Sequence, residues 1–191
     1  ERSLELLELL KDDPSSMVRR SVANNLNDLG KFRPELLLAT CTAWLEGASE
    51  ERRALVEHAL RSAVKRGDAK VLKLLGFGKK AALAIEEVRF APKRVAIGGQ
   101  VAISFTLRST ARTAQDLLVD LAVHFVKATG KTVRKVFKLK RITLPPRGRE
   151  ALRSTVSLKV HTTRKPQPGV HAVDVIVNGT RHPIGSFRVA V

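Results

Sequence analysis

The chain has 191 residues, 43% of them hydrophobic, and carries a net charge of +17 with one cysteine, Cys41. That length suits one large domain or two small ones, and the apolar content excludes global disorder. The charge points to a polyanionic partner, the lone cysteine excludes an internal disulfide, and no apolar run approaches a membrane span. A cytoplasmic protein with no membrane partner is therefore expected.

A helical period runs from Ser3 to Gly76. Leu4, Leu6, Leu7, Leu9 and Leu10 form an apolar stripe that the Asp12-Asp13-Pro14 breaker stops. A second helix is predicted from Ser15 to Gly30, and a third from Glu35 to Glu46 after Pro34. A fourth runs from the Ser49 cap to Arg66 with Gly67 as its stop, and a short fifth covers Ala69 to Leu75. Paired helices with short turns suggest a helical-repeat solenoid, and Asp13 to Arg19 resembles a HEAT repeat. The chain enters on a helical pattern at Glu1, so further sequence upstream is expected.

After Gly76-Phe77-Gly78-Lys79-Lys80 the period changes to two. Strands are predicted over Ile85–Phe90, Val101–Leu107, Leu117–Val126, Thr132–Ile142, Leu152–Val160, Val173–Val177 and Phe187–Val191. Thr129-Gly130, Pro145-Pro146-Arg147-Gly148 and Asn178-Gly179 supply turns, the last being a strong hairpin signal. About seven short-linked strands favour an antiparallel β-sandwich. The domains expected are thus HEAT-like repeats at 1–76, a linker at 77–82 and a sandwich at 83–191. Residues 1–82 hold 15 Lys and Arg against 12 Asp and Glu, net +3, whereas residues 83–191 hold 20 against 6, net +14. Most of the attraction for a polyanion lies in the sandwich.

On the second helix, 100° steps gather Arg20, Asn24, Asn27, Asp28 and Lys31 opposite Val18, Val22, Leu26 and Leu29. Asparagine is a poor mid-helix residue, so this face is either plain solvated surface or retained for a ligand. On the fourth helix Glu57, His58, Arg61 and Lys65 share a side, where the cations grip phosphates or are simply solvated. Trp44 and Cys41 read as core. The loop His161 to His171 holds Thr162, Thr163, Arg164 and Lys165, chemistry common at phosphates and groove edges, or else is an ordinary hairpin loop. One cysteine and five scattered histidines give no metal set, and no phosphate loop or dinucleotide fingerprint appears, so no cofactor is expected.

The run Val18-Arg19-Arg20-Ser21-Val22-Ala23-Asn24-Asn25-Leu26-Asn27-Asp28-Leu29 is similar to a stretch of the AlkC-type DNA alkylation repair glycosylases. So are Trp44-Leu45, Arg52 to Arg61, Lys65-Arg66-Gly67-Asp68 and Leu74-Leu75-Gly76-Phe77. The sandwich resembles the immunoglobulin-like domain of one branch of that family, including Thr162-Thr163-Arg164 and Val177-Asn178-Gly179. The resemblance implies a bacterial monofunctional glycosylase of base excision repair. Its substrates would be duplex DNA carrying cationic N-alkylated bases such as 3-methyladenine and 3-methylcytosine. It further implies Asp28 as a catalytic carboxylate, with other acidic and aromatic site residues upstream of Glu1, so that the chain alone is expected to be inactive. It implies a monomer with no obligate protein partner. Two alternatives stand beside it: a DNA-binding module without chemistry, and a protein–protein scaffold.

Overall fold

The computed structural model describes residues 2–160 and 165–190. The chain divides into two compact units, Glu1–Gly78 and Lys79–Val191.

The first unit contains α1 (Arg2–Leu10), α2 (Ser16–Leu29), α3 (Pro34–Leu45), α4 (Glu50–Ala59), α5 (Arg61–Arg66) and α6 (Ala69–Leu74). The turn between α1 and α2 explains the HEAT-like signature. Asp13 Oδ1 accepts from Ser15 N at 2.8 Å, and Arg19 Nη1 donates back to the carbonyls of Asp13 and Pro14. Ser49 Oγ caps α4 by accepting from Arg52 N, and Asp68 caps α6 by accepting from the amides of Lys70 and Val71. Val22, Leu26, Leu37, Cys41, Trp44, Leu55, Val56 and Leu60 build the core. Burial pushes the Cys41 thiol up to about 12, so it is inert.

Three expectations change here. The fourth helix is two: α4 ends at Ala59 and α5 begins at Arg61, with Leu60 between them. The fifth ends one residue earlier, at Leu74. Phe77, expected in the linker, is buried at 3% exposure, and its amide reaches back to Leu72 O while Gly76, at φ +88°, donates to Lys73 O. That pair of bonds is the Schellman closure, with the apolar residue after the glycine tucked against the helix end.

Among the described residues the second unit is a sandwich of eight strands, β1 (Leu83–Ala91), β2 (Arg94–Ala96), β3 (Gln100–Ser109), β4 (Gln115–Val126), β5 (Thr132–Leu144), β6 (Arg149–Ser157), β7 (Gly169–Val177) and β8 (Thr180–Ala190). One sheet has the order β1-β3-β6 and the other β2-β8-β7-β4-β5. Alternate residues from both, among them Ile103, Phe105, Leu107, Leu117, Leu121, Val123, Val175 and Phe187, fill the core. All pairings are antiparallel except β2 with β8, which is parallel. The strand expected over Leu152–Val160 lies instead at Arg149–Ser157. The strand expected from Phe187 starts at Thr180 and accommodates Pro183 beside a register shift opposite Val173 and Asp174. At the β7–β8 hairpin Asn178 and Gly179 have φ of 48° and 79°, as the tight turn requires. Asn178 Oδ1 also accepts from Leu118 N at 2.8 Å, tying the hairpin to β4.

Candidate nucleic-acid interface

In the helical unit α2 lies against α4, and the break between α4 and α5 is what joins their polar faces. Within a continuous helix the Ser62 amide would bond the carbonyl of His58. That carbonyl instead accepts from Arg61 Nη1 at 2.7 Å, and Ser62 N donates to Asn27 Oδ1 of α2 at 3.3 Å. Arg61 Nη2 then donates to Asn24 Oδ1 at 3.0 Å, and His58 Nε2 lies 3.0 Å from the same oxygen. Burial, followed by the charges of Arg61 and Arg20, holds the His58 pKa below its ordinary value. A neutral imidazole with its proton on Nε2 makes Asn24 a double acceptor.

These contacts sort the residues that the helical wheel had gathered. Arg20, Lys31, Lys65 and Asp28 are exposed, whereas Asn24 and Arg61 are half-buried and mutually fixed. Asn27 is buried at 3% exposure. It is therefore not available to a surface ligand, because its side chain is spent on the Ser62 amide and on Asp28. Among the described residues Arg20 and Lys65 form no ion pair, so their charge is open to solvent.

Asp28 is 62% exposed and pairs with Lys31 Nζ at 2.6 Å. The Lys31 hydrogen bond and charge hold its carboxyl below the usual carboxylate range, with a smaller contribution from the Asn27 amide. Asp28 also sits at the edge of a groove of about 480 Å³ between α1 and α2, lined by Leu6, Leu10, Val18, Leu29 and Phe32, with Ser21 and Asn25 among its polar groups. Phe32, just past α2, is 83% exposed. An apolar slot with an aromatic ring and a single carboxylate complements a flat cationic ligand. Periodicity along one helix could not reveal this groove, because its walls come from two.

In the sandwich Lys165 is exposed and borders a cleft with Lys127, Lys135, Phe125 and Gln167. Thr162, Thr163 and Arg164 lie outside the described residues. Among the described residues no His, Cys, Asp or Glu cluster is arranged to hold a metal, and no helix is long and apolar enough to cross a membrane.

Residues 84–191 match the family described as "Uncharacterised protein YhaZ, C-terminal Ig-like domain". The chain belongs to the YhaZ family. The uncharacterised YhaZ protein of Bacillus subtilis (strain 168) is 35% identical over 186 residues, covering 97% of the chain and 51% of that relative. The YhaZ-family chain is also similar to a solved structure of the Pseudomonas fluorescens alkylpurine DNA glycosylase AlkC, bound to DNA containing an abasic site analog. There the identity is 39%, the TM-score 0.93, and the coverage 98% of the chain and 52% of that protein. The chain thus spans about half the length of both. The helices followed by an immunoglobulin-like sandwich are the fold that the residues implied.

Proposed function

We propose that this YhaZ-family chain serves DNA repair as part of a DNA glycosylase that hydrolyses the N-glycosidic bond of cationic alkylated bases. The observation that carries this reading is the TM-score of 0.93 and 39% identity, over 98% of the chain, to an alkylpurine DNA glycosylase bound to DNA. The residues support it. Arg20, Lys31, Arg61, Lys65 and the charge of the sandwich suit a phosphate backbone.

The chemistry asked of the protein is modest. A base alkylated on a ring nitrogen carries positive charge and leaves readily, so little acid catalysis is needed. As the bond lengthens, positive charge develops on the sugar, and a fixed carboxylate stabilises that charge and orients the attacking water. Asp28 is the carboxylate proposed for this role, with the groove beside it to receive the base. The substrates proposed are 3-methyladenine and 3-methylcytosine in duplex DNA, the setting cytoplasmic, and the protein a monomer without cofactor.

A purely DNA-binding role is the second reading, favoured by the Asp28–Lys31 pair, which by itself is an ordinary helix-surface contact. Base release from duplex DNA containing 3-methyladenine, followed in the intact protein by chromatography of the free base, separates the two. Release above the spontaneous rate supports the glycosylase; tight binding with release at the spontaneous rate supports the module.

A further inference from the structure

We propose that the outer face of β2 and β8 carries a phosphate-binding notch for the DNA backbone, formed by Lys93, Arg94, Ser186 and Arg188. This rests on the DNA-binding reading above and goes beyond it by assigning a site whose cations lie outside both the groove by Asp28 and the 161–171 loop.

Arg94 and Arg188 stand directly opposite each other in the parallel β2–β8 ladder, about 4.8 Å apart at Cα. Like charges so placed repel. Their neighbours Val95 and Val189 point into the core, so both guanidinium groups point outward. Lys93 joins them, held in place by Arg188 N donating to its carbonyl at 2.9 Å. Ser186 and Val170 complete the rim of a shallow cavity of about 400 Å³.

Five of the sandwich's six acids are engaged elsewhere. Glu86 and Glu87 bind Arg108 and Arg149, Glu150 binds Lys140, Asp174 binds His124, and Asp116 accepts from Thr143. Among the described residues no carboxylate pairs with Lys93, Arg94 or Arg188. A cluster of two forked donors, an ammonium and a hydroxyl, with no counter-ion among the described residues, fits an oxyanion supplied from outside. Phosphates repeated along a nucleic acid strand are that anion at the highest local density.

The test compares Arg94→Ala/Arg188→Ala with Arg89→Ala/Arg153→Ala. The second pair removes the same charge from exposed arginines that flank Ser104 on the outer face of the other sheet. Binding of a short undamaged fluorescent duplex is measured over a series of salt concentrations for the full chain and each variant. The slope of log affinity against log salt should become shallower by about two units for Arg94→Ala/Arg188→Ala, about one for each phosphate no longer neutralised, and change little for the control pair. Ser186→Asp, which keeps both arginines and places a carboxylate in the notch, should weaken binding as well. Equal changes in both double variants, or an unchanged slope in Arg94→Ala/Arg188→Ala with steep binding by the unaltered chain, would overturn the notch and leave the DNA-binding reading standing. Absence of binding by the unaltered chain would overturn both.

Discussion

Arg61 Nη2 donates to Asn24 Oδ1 over 3.0 Å, joining residues 37 apart in sequence and fixing the polar face of one helix to that of another. Lys65 lies one turn further along, exposed and without such a bond. The two cations therefore respond differently to removal. Lys65→Ala should weaken DNA binding and leave thermal unfolding unchanged. Arg61→Ala should weaken binding and also lower stability by about 1–2 kcal/mol, because the bond is to a charged donor in a half-buried setting. Asn24→Ala should show the same stability loss with a smaller effect on binding, since the guanidinium stays. Melting and duplex titration of the three variants check this; equal stability for Arg61→Ala and Lys65→Ala would show that the Asn24 contact contributes nothing.

Asn27→Ala should destabilise the helical unit by about 1–3 kcal/mol, the cost of leaving a buried amide without its acceptor. The amide in question is that of Ser62, released from ordinary helical bonding at the α4–α5 break. Asn27→Asp keeps the acceptor oxygen and should recover part of the loss, although it buries a charge. Chemical denaturation measures both. A loss within about 0.5 kcal/mol, the range of ordinary surface positions, would return Asn27 to the solvated face that its helical phase suggests.

Why that phase misled is physical. A helical wheel ranks positions by angle on one helix, and by angle Asn27 belongs with Arg20, Asn24, Asp28 and Lys31. What buries it is α4 and α5, where its bond to Ser62 spans 35 residues of sequence. The break after Ala59 was equally illegible, because no Pro or Gly marks it and the exchange of carbonyl partners that permits it comes from α2. Periodicity did reveal the α1–α3 stack and the inward residues of β3, β4 and β7, although β4 and β7 are buried on both faces over much of their length. It missed β2, three residues between Pro92 and Gly98 that are too short to alternate. It also started β8 too late, because Pro183 and Gly185 read as breakers when a register shift absorbs them.

The sandwich should lose stability as pH falls below about 6.5, the usual histidine value, owing chiefly to His171. This ring is buried, stacked on Phe187 at 5.3 Å and edge-on to Phe125 at 5.7 Å. Its Nδ1 accepts from Val126 N and its Nε2 donates to Gln167 O, so both nitrogens are satisfied in the neutral form. Protonation would aim a second N–H at the Val126 amide. Burial lowers the folded-state pKa, and the Gln167 bond only partly opposes it. The unfolded chain then binds the proton more readily, so stability is full above the unfolded value. It declines below that value by up to about 1.4 kcal/mol per pH unit until the folded value is reached. His58 and His182 are shifted the same way by burial. Urea unfolding between neutral and mildly acidic pH, compared for the unaltered chain and His171→Leu, should show the shallower dependence in the variant. Parallel curves would assign the effect in the sandwich to His182 instead, His58 belonging to the helical unit.

Asp28→Asn, made in the intact protein, should slow base release by about 10²–10³, the usual loss when a preorganised electrostatic partner of a developing charge is removed. Folding and DNA binding should survive, because the side chain is 62% exposed. The Lys31 contact supplies the control that a single variant lacks. If the carboxylate serves only as half of a helix-surface pair, Asp28→Asn and Lys31→Ala break the same contact and should behave alike. If it faces the sugar, the two diverge. Asp28→Asn loses the negative charge, while Lys31→Ala keeps it and removes a neighbouring cation that opposes it. Because Lys31 is what holds the carboxyl below its ordinary range, its removal lets the pKa rise toward the usual value near 3.9, still ionised at neutral pH. Single-turnover release of 3-methyladenine at saturating protein is therefore expected to collapse in Asp28→Asn and to persist in Lys31→Ala. Matching rates in the two variants, or an Asp28→Asn rate within about threefold of the unaltered protein when 10²-fold is expected, would move the catalytic charge to another residue.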